Sequence, residues 1–384
     1  MRFLLKDRVL TLFFEGELNS YNADNMEHEI EEIVSSQNFD TLNLDFSNLH
    51  YISSAGLRII LKLKQKYNDT HVLEASLEVY DVFNMTGFTN IMDVKKALKR
   101  VYISGAQVIG DGFFSTVYRI DKDTIIKVFN RTSDPQQVER ELKLAKESFV
   151  KGIPTAISFD IFRVDEKLGV RFEMLDCMPL RDAFLQLPDQ FDSLVDRYAK
   201  LLKKINTTEC SDEAIPDMKQ FFIRKIESME DAFEPDVYKK CHDILTNIED
   251  RKTFVHGDCH FKNIMCQGDE LLLIDMDTLS TGHPIFELAR IRAPYLCFEE
   301  INPGNSEKFF KMKADLVSKI YHDLIEKYFG KYDQEIEDKI GLISYIHMCL
   351  WLHKNTPENV DGFSKAQSKL KEYLAKVKDF DLGV

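Results

Sequence analysis

Long apolar runs are lacking from this chain of 384 residues. No stretch reaches 18 uninterrupted apolar residues, so we expect no membrane-spanning helix. The N-terminal apolar segment is broken by Lys6, Asp7 and Arg8 and has no small-residue cleavage site, which predicts that there is no export signal. The seven cysteines include no CxxC pair, which argues against a disulfide framework or a zinc knuckle. We therefore expect a protein of the reducing cytoplasm.

An excess of basic residues is also lacking. The chain has 50 Lys+Arg against 64 Asp+Glu, a formal net charge of −14, whereas nucleic-acid-binding proteins normally carry a basic face. This acidity favours neither an anionic membrane surface nor a particular substrate. Hydrophobic residues at 44% and charged residues at 30% are ordinary for a globular protein and exclude general disorder.

The length predicts two domains, because a single hydrophobic core stops growing at roughly 250–300 residues. No Pro/Gly/Ser-rich linker and no internal repeat separates them. The pattern changes around Lys99–Ile103, where a helical segment ends and a strand begins. We place one domain at residues 1–100 and the other at residues 101–384.

Strand and helix patterns alternate through the first domain, which favours an α/β fold with a parallel-type sheet. The predicted strands are Val9–Phe14, Thr41–Phe46 and Val72–Ala75, the predicted helices are residues 22–36, a helix opening at residues 53–56 and Leu77–Met85, and Ile91–Lys99 is a last strand-and-helix piece.

The segments GELNSYNA, LNLDFSNLHYISSAGLRIILKL and VYDVFNMTGFTNI occur in a characteristic order. Together they resemble the STAS domain, the fold of bacterial anti-sigma-factor antagonists, over essentially all of residues 1–100. The resemblance implies a protein partner and a phosphorylated serine at a helix start, which Ser54 matches. Ser53 replaces the aspartate often found before that serine, and Asn19 replaces an acid of the early turn. Ser54 could instead only cap its helix, a role worth about 1 kcal/mol.

The second domain opens with a strand, a glycine-containing turn and a second strand over residues 103–120. Gly110 and Gly112 allow backbone to approach phosphate oxygens, Ser115 stands where a third glycine often sits, and Val117 follows at an adenine-facing position. No Gly-Lys-Ser/Thr follows, so this is not a Walker A loop. The second strand also excludes the strand–turn–helix unit of a dinucleotide fold.

Lys127 lies within the apolar strand Thr124–Phe129, and the next helix, Pro135–Val150, presents Glu139 and Glu141. Kinase-type folds pair a strand lysine with a helix glutamate to hold the α- and β-phosphates. We prefer Glu141 as the partner, with Glu139 as the alternative. Strands are expected at residues 156–164 and 169–175, which predicts a hinge at residues 173–175, where Glu173 and Leu175 offer backbone groups to adenine.

The segment Val255–Asp277 is the most specific one, with the pattern HGDxHxxN followed by IDxD. Phosphoryl transfer needs a carboxylate for the attacking hydroxyl and oxygen ligands for Mg²⁺. We assign Asp258 as the base and Asn263 and Asp275 as metal ligands. Asp277 is either a further metal-site group or a solvated acid.

A zinc site is the competing interpretation, since potential ligands cluster in the same loop: His256, Asp258, Cys259 and His260. A helical histidine pair would need an intact helix and a third ligand, and Gly257 interrupts the segment.

These motifs together resemble the aminoglycoside phosphotransferase and choline kinase superfamily over residues 103–290. The resemblance implies ATP and Mg²⁺ as cofactors and a bilobal α+β fold of the protein kinase type, with a β-rich lobe at about 101–175 and a helical lobe at about 176–384. Few residues separate Asp277 from Pro284, and no activation loop is present, so the expected acceptor is a hydroxyl of a small molecule. The helical lobe carries aromatic residues that could line a pocket or pack in the core: Tyr295, Phe298, Tyr345 and Trp351.

Two other functions remain open. The chain could be a regulatory protein whose kinase-like domain only senses nucleotide, or it could phosphorylate its own Ser54.

Overall fold

The computed structural model describes residues 1–111, 115–130, 135–165, 167–212 and 215–377, with the side chains of residues 135–137 outside the description. The chain divides into two compact units, one formed by residues 1–102 with 162–165 and the other by residues 103–161 with 166–384. In the described ranges, no helix is long and apolar enough to cross a membrane.

The first unit is built on a five-stranded sheet in the order β1-β2-β3-β4-β5. Strand β1 pairs antiparallel with β2, and the other neighbours are parallel. Parallel neighbours require crossover connections, which the helices supply. The elements are β1 (Arg2–Lys6), β2 (Val9–Leu18), α1 (Ala23–Ser36), β3 (Thr41–Ile52), α2 (Ser54–Lys66), β4 (Thr70–Ala75), α3 (Leu77–Met85) and β5 (Asp93–Lys96).

The core of this unit lies between the strands and the helices, with Phe14, Phe46 and Phe83 fully buried. Two local predictions need correction. The strand predicted to end at Phe14 continues to Leu18 through an irregular pairing with β3. The stretch predicted as a strand-and-helix piece forms only β5, because the residues after it adopt no helix.

The second unit begins with a five-stranded sheet in the order β6-β7-β8-β10-β9, so that β8 is its central strand. One helix, α4, follows β8 and packs near β10. The elements are β6 (Gln107–Asp111), β7 (Ser115–Arg119), β8 (Thr124–Phe129), α4 (Pro135–Val150), β9 (Ser158–Val164) and β10 (Lys167–Glu173).

The remainder is mainly helical and contains most of the buried side chains of the unit. Two small sheets, β11-β13-β14 and β12-β15, interrupt the helices and frame a loop at residues 256–263. The elements are β11 (Met178–Pro179), α5 (Leu180–Gln186), α6 (Phe191–Thr207), α7 (Met218–Glu227), α8 (Pro235–Asn247), β12 (Phe254–Val255), β13 (Ile264–Gln267), β14 (Glu270–Leu273), β15 (Ser280–Thr281), α9 (Pro284–Arg292), α10 (Phe298–Ile301), α11 (Asn305–Phe310), α12 (Ala314–Phe329), α13 (Gln334–Asn355) and α14 (Val360–Lys376).

Candidate active site

Lys127 lies between two carboxylates. Its Nζ is 2.6 Å from Glu141 Oε1 and 2.7 Å from Asp275 Oδ1. Burial lowers the pKa of Lys127, but the charges of Asp275 and Glu141 outweigh this effect and hold the pKa above its usual value. The Asp275 side chain is 40% exposed, against 5% for Glu141. Glu141 therefore anchors the lysine from the interior, while Asp275 is accessible to a ligand.

The position of Lys127 follows from its strand. Its two neighbours along β8 are buried, and the alternation of a strand turns the lysine to the other face of the sheet. Val117 on β7 lies directly opposite it. On α4, Glu141 is buried and Glu139 is exposed, so the structure brings Glu141, and not Glu139, to the lysine.

The loop that carries Asp258 is held by its backbone. Glu287 on α9 accepts the backbone N–H groups of His256, at 2.5 Å, and of Gly257, at 3.1 Å. Arg290 lies one turn later on α9, and its Nε donates to the Gly257 carbonyl. A carboxylate and a guanidinium on one buried helix thus fix both polar groups of the same peptide segment.

Gly257 is required by the conformation of this loop. Its φ is +80°, which side chains rarely adopt. A Cβ at this position would also lie 2.9 Å from Met218 Cε and 3.0 Å from the Thr278 carbonyl oxygen.

The side chain of Asp258 is tied to the second half of the loop. Asn263 donates from Nδ2 to both the backbone oxygen and Oδ2 of Asp258, each at 3.0 Å. The ring Nδ1 of His256 accepts from the Asp258 backbone N–H at 3.2 Å, and Nε2 lies 3.2 Å from the Ile274 carbonyl. Burial lowers the pKa of His256, so the neutral ring acts as a brace. Asp258 remains 42% exposed and accessible to a substrate.

Asp275 and Asp277 follow β14 on a short turn. Asp275 has φ +67°. Burial raises the pKa of its carboxyl, but Lys127 outweighs this effect and the net shift is downward. Burial, followed by the charge of Asp275, raises the pKa of Asp277 to about 7. The two neighbouring acids therefore differ in charge near neutral pH.

The predicted nucleotide-contacting residues lie around the central strand. Gly110 on β6 pairs with Val117, and Ser115 at the start of β7 pairs with Phe129; Gly112 lies outside the described residues. At the predicted hinge, Glu173 is the last residue of β10, and its N–H donates to the Ile157 carbonyl.

The next hinge residue, Met174, donates its N–H to the Asp123 carbonyl at 2.7 Å. Leu175 follows it, and its carbonyl lies 3.5 Å from the Cys177 thiol.

Four loop-supporting residues were not assigned to the site from the sequence. Glu287 and Arg290 were considered only as a structural pair. Two buried tyrosines also brace the loop, because Tyr198 donates to the Cys259 carbonyl and the Tyr295 hydroxyl accepts the Phe261 N–H at 2.9 Å. A glutamate and an arginine on one face of an apolar helix were the only sequence signal for this support.

The predicted aromatic residues of the helical lobe have different surroundings. Phe298 and Trp351 stack on each other with ring centroids 5.0 Å apart. Tyr295 lines a cavity of about 400 Å³ whose other lining groups include Arg292 and Glu337, joined by a 2.8 Å ion pair. Asp258 is not among the residues that line this cavity.

In the first unit, Ser53 and not Ser54 caps the helix. Ser53 Oγ accepts the Gly56 N–H at 3.3 Å, while Ser54 is the first helical residue and is exposed. Capping therefore does not account for Ser54.

Comparison with known proteins identifies both parts of the chain. The phosphotransferase enzyme family model matches residues 105–302, and the STAS domain model matches residues 3–101. The anti-sigma factor antagonist BtrV of Bordetella bronchiseptica is 35% identical over 92 residues, which are 23% of this chain and 78% of that protein.

Solved structures with a similar fold are kinases. A choline/ethanolamine kinase family protein from Mesorhizobium loti shares 12% identity, with 70% of this chain and 91% of that chain covered and a TM-score of 0.46. The ADP-bound aminoglycoside phosphotransferase APH(2'')-Ib shares 14%, with 70% and 93% covered and a TM-score of 0.49.

Amicoumacin kinase hAmiN, in complex with AMP-PNP, Ca²⁺ and Ami, shares 14%, with 78% and 96% covered and a TM-score of 0.48.

The family matches confirm the fold class predicted from the sequence, an α/β STAS-like domain followed by a kinase-like fold with a β-rich lobe and a helical lobe. The chain therefore belongs to the phosphotransferase enzyme family and carries a STAS domain in its N-terminal part.

Proposed function

We propose that this chain transfers the γ-phosphoryl group of ATP to a hydroxyl of a small molecule. The observation that carries the proposal is the double contact of Lys127 with Glu141 and Asp275. It joins the β-rich lobe to the segment after β14, as a lysine that grips phosphates beside a metal-binding acid requires.

The reaction is an in-line displacement. The acceptor oxygen forms a bond to the γ-phosphorus, the bond from that phosphorus to the bridging oxygen breaks, and ADP leaves. Asp258 accepts the proton of the hydroxyl, and Asn263 orients the Asp258 carboxylate through its 3.0 Å hydrogen bond. Lys127 holds the α- and β-phosphates, while Gly110, Gly112, Ser115 and Val117 cover the nucleotide and residues 173–175 offer backbone groups to adenine.

The donor set fits Mg²⁺. No group of three or more His, Cys, Asp and Glu side chains in the described ranges could hold a metal ion, and Mg²⁺ is usually bound by only one or two carboxylates together with substrate phosphates. Asp275 supplies a carboxylate, and Asn263, whose amide nitrogen is engaged with Asp258, supplies its oxygen. The bound ion would neutralise charge on the transferred phosphoryl group.

The connection between the two acids and the helical lobe supports a small acceptor. After the turn at residues 276–278 only β15 and a few residues precede α9, so no activation loop for a protein substrate intervenes.

The STAS domain supplies a second candidate role, docking of a protein partner with Ser54 as a phosphorylation site. The exposure of Ser54 and the transfer of the cap to Ser53 favour it. A phosphate at this helix start would meet the favourable end of the helix dipole and add roughly two negative charges.

The test compares Asp258→Ala with the natural chain in two assays. We expect Asp258→Ala to lose phosphoryl transfer to a library of hydroxyl compounds while it still binds Mg·ATP. Full transfer by the variant would refute the role of Asp258, and nucleotide binding without transfer by the natural chain would favour the sensor alternative. Mass spectrometry after incubation with Mg·ATP tests Ser54 in the same samples.

A further inference from the structure

Positive side chains from separate segments meet beside the loop that carries Asp258, although the chain as a whole has a net charge of −14. Lys262 follows Asp258 by four positions, and its Nζ lies 4.3 Å from the ring centroid of Phe309 on α11. The next ring, Phe310, connects to the second cation, because Arg181 Nη1 donates to the Phe310 carbonyl at 3.5 Å.

The same arrangement is linked to the loop in two further ways. The Arg181 N–H donates to the Phe261 carbonyl at 3.0 Å. Lys311 directly follows Phe310 in a left-handed conformation, with φ +58°. We refer to Arg181, Lys262 and Lys311 as the cationic cluster.

His260 connects the cationic cluster to the proposed base. Its ring centroid lies 5.8 Å from Phe309 and 5.9 Å from Phe310, and its Nε2 lies 3.7 Å from Asp258 Oδ1. The cluster therefore stands next to the carboxylate that would receive the acceptor hydroxyl.

The charges of the cluster are only partly balanced. Asp182 pairs with Arg181 at 2.5 Å. Across the part of the chain that the structure describes, neither Lys262 nor Lys311 forms an ion pair. An exposed lysine is usually just solvated, but here two uncompensated lysines and a paired arginine share one small region beside Asp258.

We propose that the cationic cluster binds an anionic group, a phosphate or carboxylate, carried by the acceptor molecule. This inference rests on the proposed function and names the class of its substrate. A charge-assisted hydrogen bond from Lys262 would hold the anion while the hydroxyl of the same molecule reaches Asp258.

The surroundings assign the cluster to the acceptor and not to the nucleotide. Arg181 lies on α5 and Lys311 follows α11, both in the helical lobe, whereas the phosphate-gripping Lys127 contacts α4 and the segment after β14. The acidic groups of the helical-lobe cavity do not offset this preference, since Glu337 is bound by Arg292 and Tyr321.

The experiment measures transfer from radiolabelled Mg·ATP by the full chain to four related alcohols: glycerate, glycerol 3-phosphate, glycerol and serinol. We expect kcat/KM for an anionic alcohol to exceed that for glycerol and serinol by about tenfold or more, since one charged contact is worth about that factor. Lys262→Met should remove most of this advantage through KM, and Lys262→Glu should shift the preference towards serinol.

The matched control is Lys203→Met, which removes an exposed lysine that stacks on Tyr328 elsewhere in the helical lobe. It should leave all four values unchanged. A wild-type preference for serinol would overturn the inference. So would an equal fall of kcat for all four alcohols in Lys262→Met with unchanged acceptor KM, because that result would assign Lys262 to the transferred phosphoryl group.

Calorimetric titration of the full chain with glycerol 3-phosphate and glycerate separates this inference from the proposed function. Binding that Lys262→Met weakens about tenfold, without transfer to any alcohol, would support the anion site and refute the transferase. Absence of Lys262-dependent binding of both compounds would overturn the anion site even if transfer to a neutral or cationic alcohol is found.

Discussion

Lys127 Nζ contacts Glu141 Oε1 at 2.6 Å and Asp275 Oδ1 at 2.7 Å, so a single ammonium group joins α4 to the segment that follows β14. Glu141 is 14 positions away in the chain and Asp275 is 148 positions away. The contact with Glu141 is largely dry and that with Asp275 is open, which makes the first a fixed anchor and the second exchangeable for substrate phosphates.

Glu141→Gln should lower kcat/KM about ten- to a hundredfold, because it removes a charge-assisted contact worth roughly 1.5–3 kcal/mol. Lys127 would keep its contact with Asp275 and lose its interior anchor. Steady-state kinetics with the acceptor found for the natural chain provide the measurement. Glu139→Gln, on the exposed side of the same helix, is the control, and equal losses in the two variants would contradict the assignment.

Glu287→Gln should lower kcat more than it raises the KM for ATP. The amide keeps one oxygen for the N–H groups of His256 and Gly257 and leaves the other N–H without its acceptor, at a cost of about 1–3 kcal/mol. Kinetics give the first value, and denaturation followed by the fluorescence of Trp351, the only tryptophan, gives the second.

The exposed Glu326 on α12 is a suitable control for that substitution, since Glu326→Gln should change neither value. A Glu287→Gln variant with the natural kcat would show that the loop keeps its geometry without the carboxylate.

Ser53→Ala should destabilise the start of α2 by about 1 kcal/mol, whereas Ser54→Ala should have little effect on stability. Only the Ser53 hydroxyl accepts a backbone N–H of the first turn, that of Gly56. Hydrogen exchange of the α2 amides measures the local opening free energy. A larger effect of Ser54→Ala would return the cap to Ser54 and weaken its case as a modification site.

The helical lobe should lose stability as the pH falls below 6.5. Burial lowers the pKa of His347 well below its usual value, while the unfolded histidine takes up a proton near pH 6.5. Below that value the unfolded state binds more protons than the folded state, so the free energy of unfolding falls by up to about 1.4 kcal/mol per pH unit.

Denaturation midpoints from Trp351 fluorescence at pH 7.5 and 5.5 measure this effect. His347→Gln should show a smaller loss between the two pH values than the natural chain. His353→Gln, which changes an exposed histidine on the same helix, should lose as much as the natural chain does. Identical pH dependence in all three proteins would rule out His347 as the source.

Much of the fold was predictable because its signals are local. Alternating apolar residues indicated β3 and β8, and α3 and α4 have the bounds that the sequence predicted. The end of β2 was not predictable, because the strand continues past Phe14 through long-range pairing with β3. The missing helix after β5 has the same cause, since helical propensity is a weak prior that tertiary context overrides.

The candidate site divides in a similar way. The spacing of Asp258, Asn263 and Asp275 pointed to phosphoryl transfer from the sequence alone, and their roles stay predictions until the variants are measured. The support from Glu287, Arg290 and the two buried tyrosines was not predictable, because α9 contacts the loop across about 30 positions of chain.

The sequence by itself determined which chemical groups are present and in what order: a strand lysine, a helix glutamate, a loop aspartate and asparagine, and an acid after a strand. Only the tertiary structure decided that Glu141 and not Glu139 reaches Lys127, that Ser53 and not Ser54 caps α2, and that Lys262 stands with Arg181 and Lys311 beside Asp258. The physical reason is that these choices depend on the face of an element and on contacts between distant segments, and local periodicity contains neither.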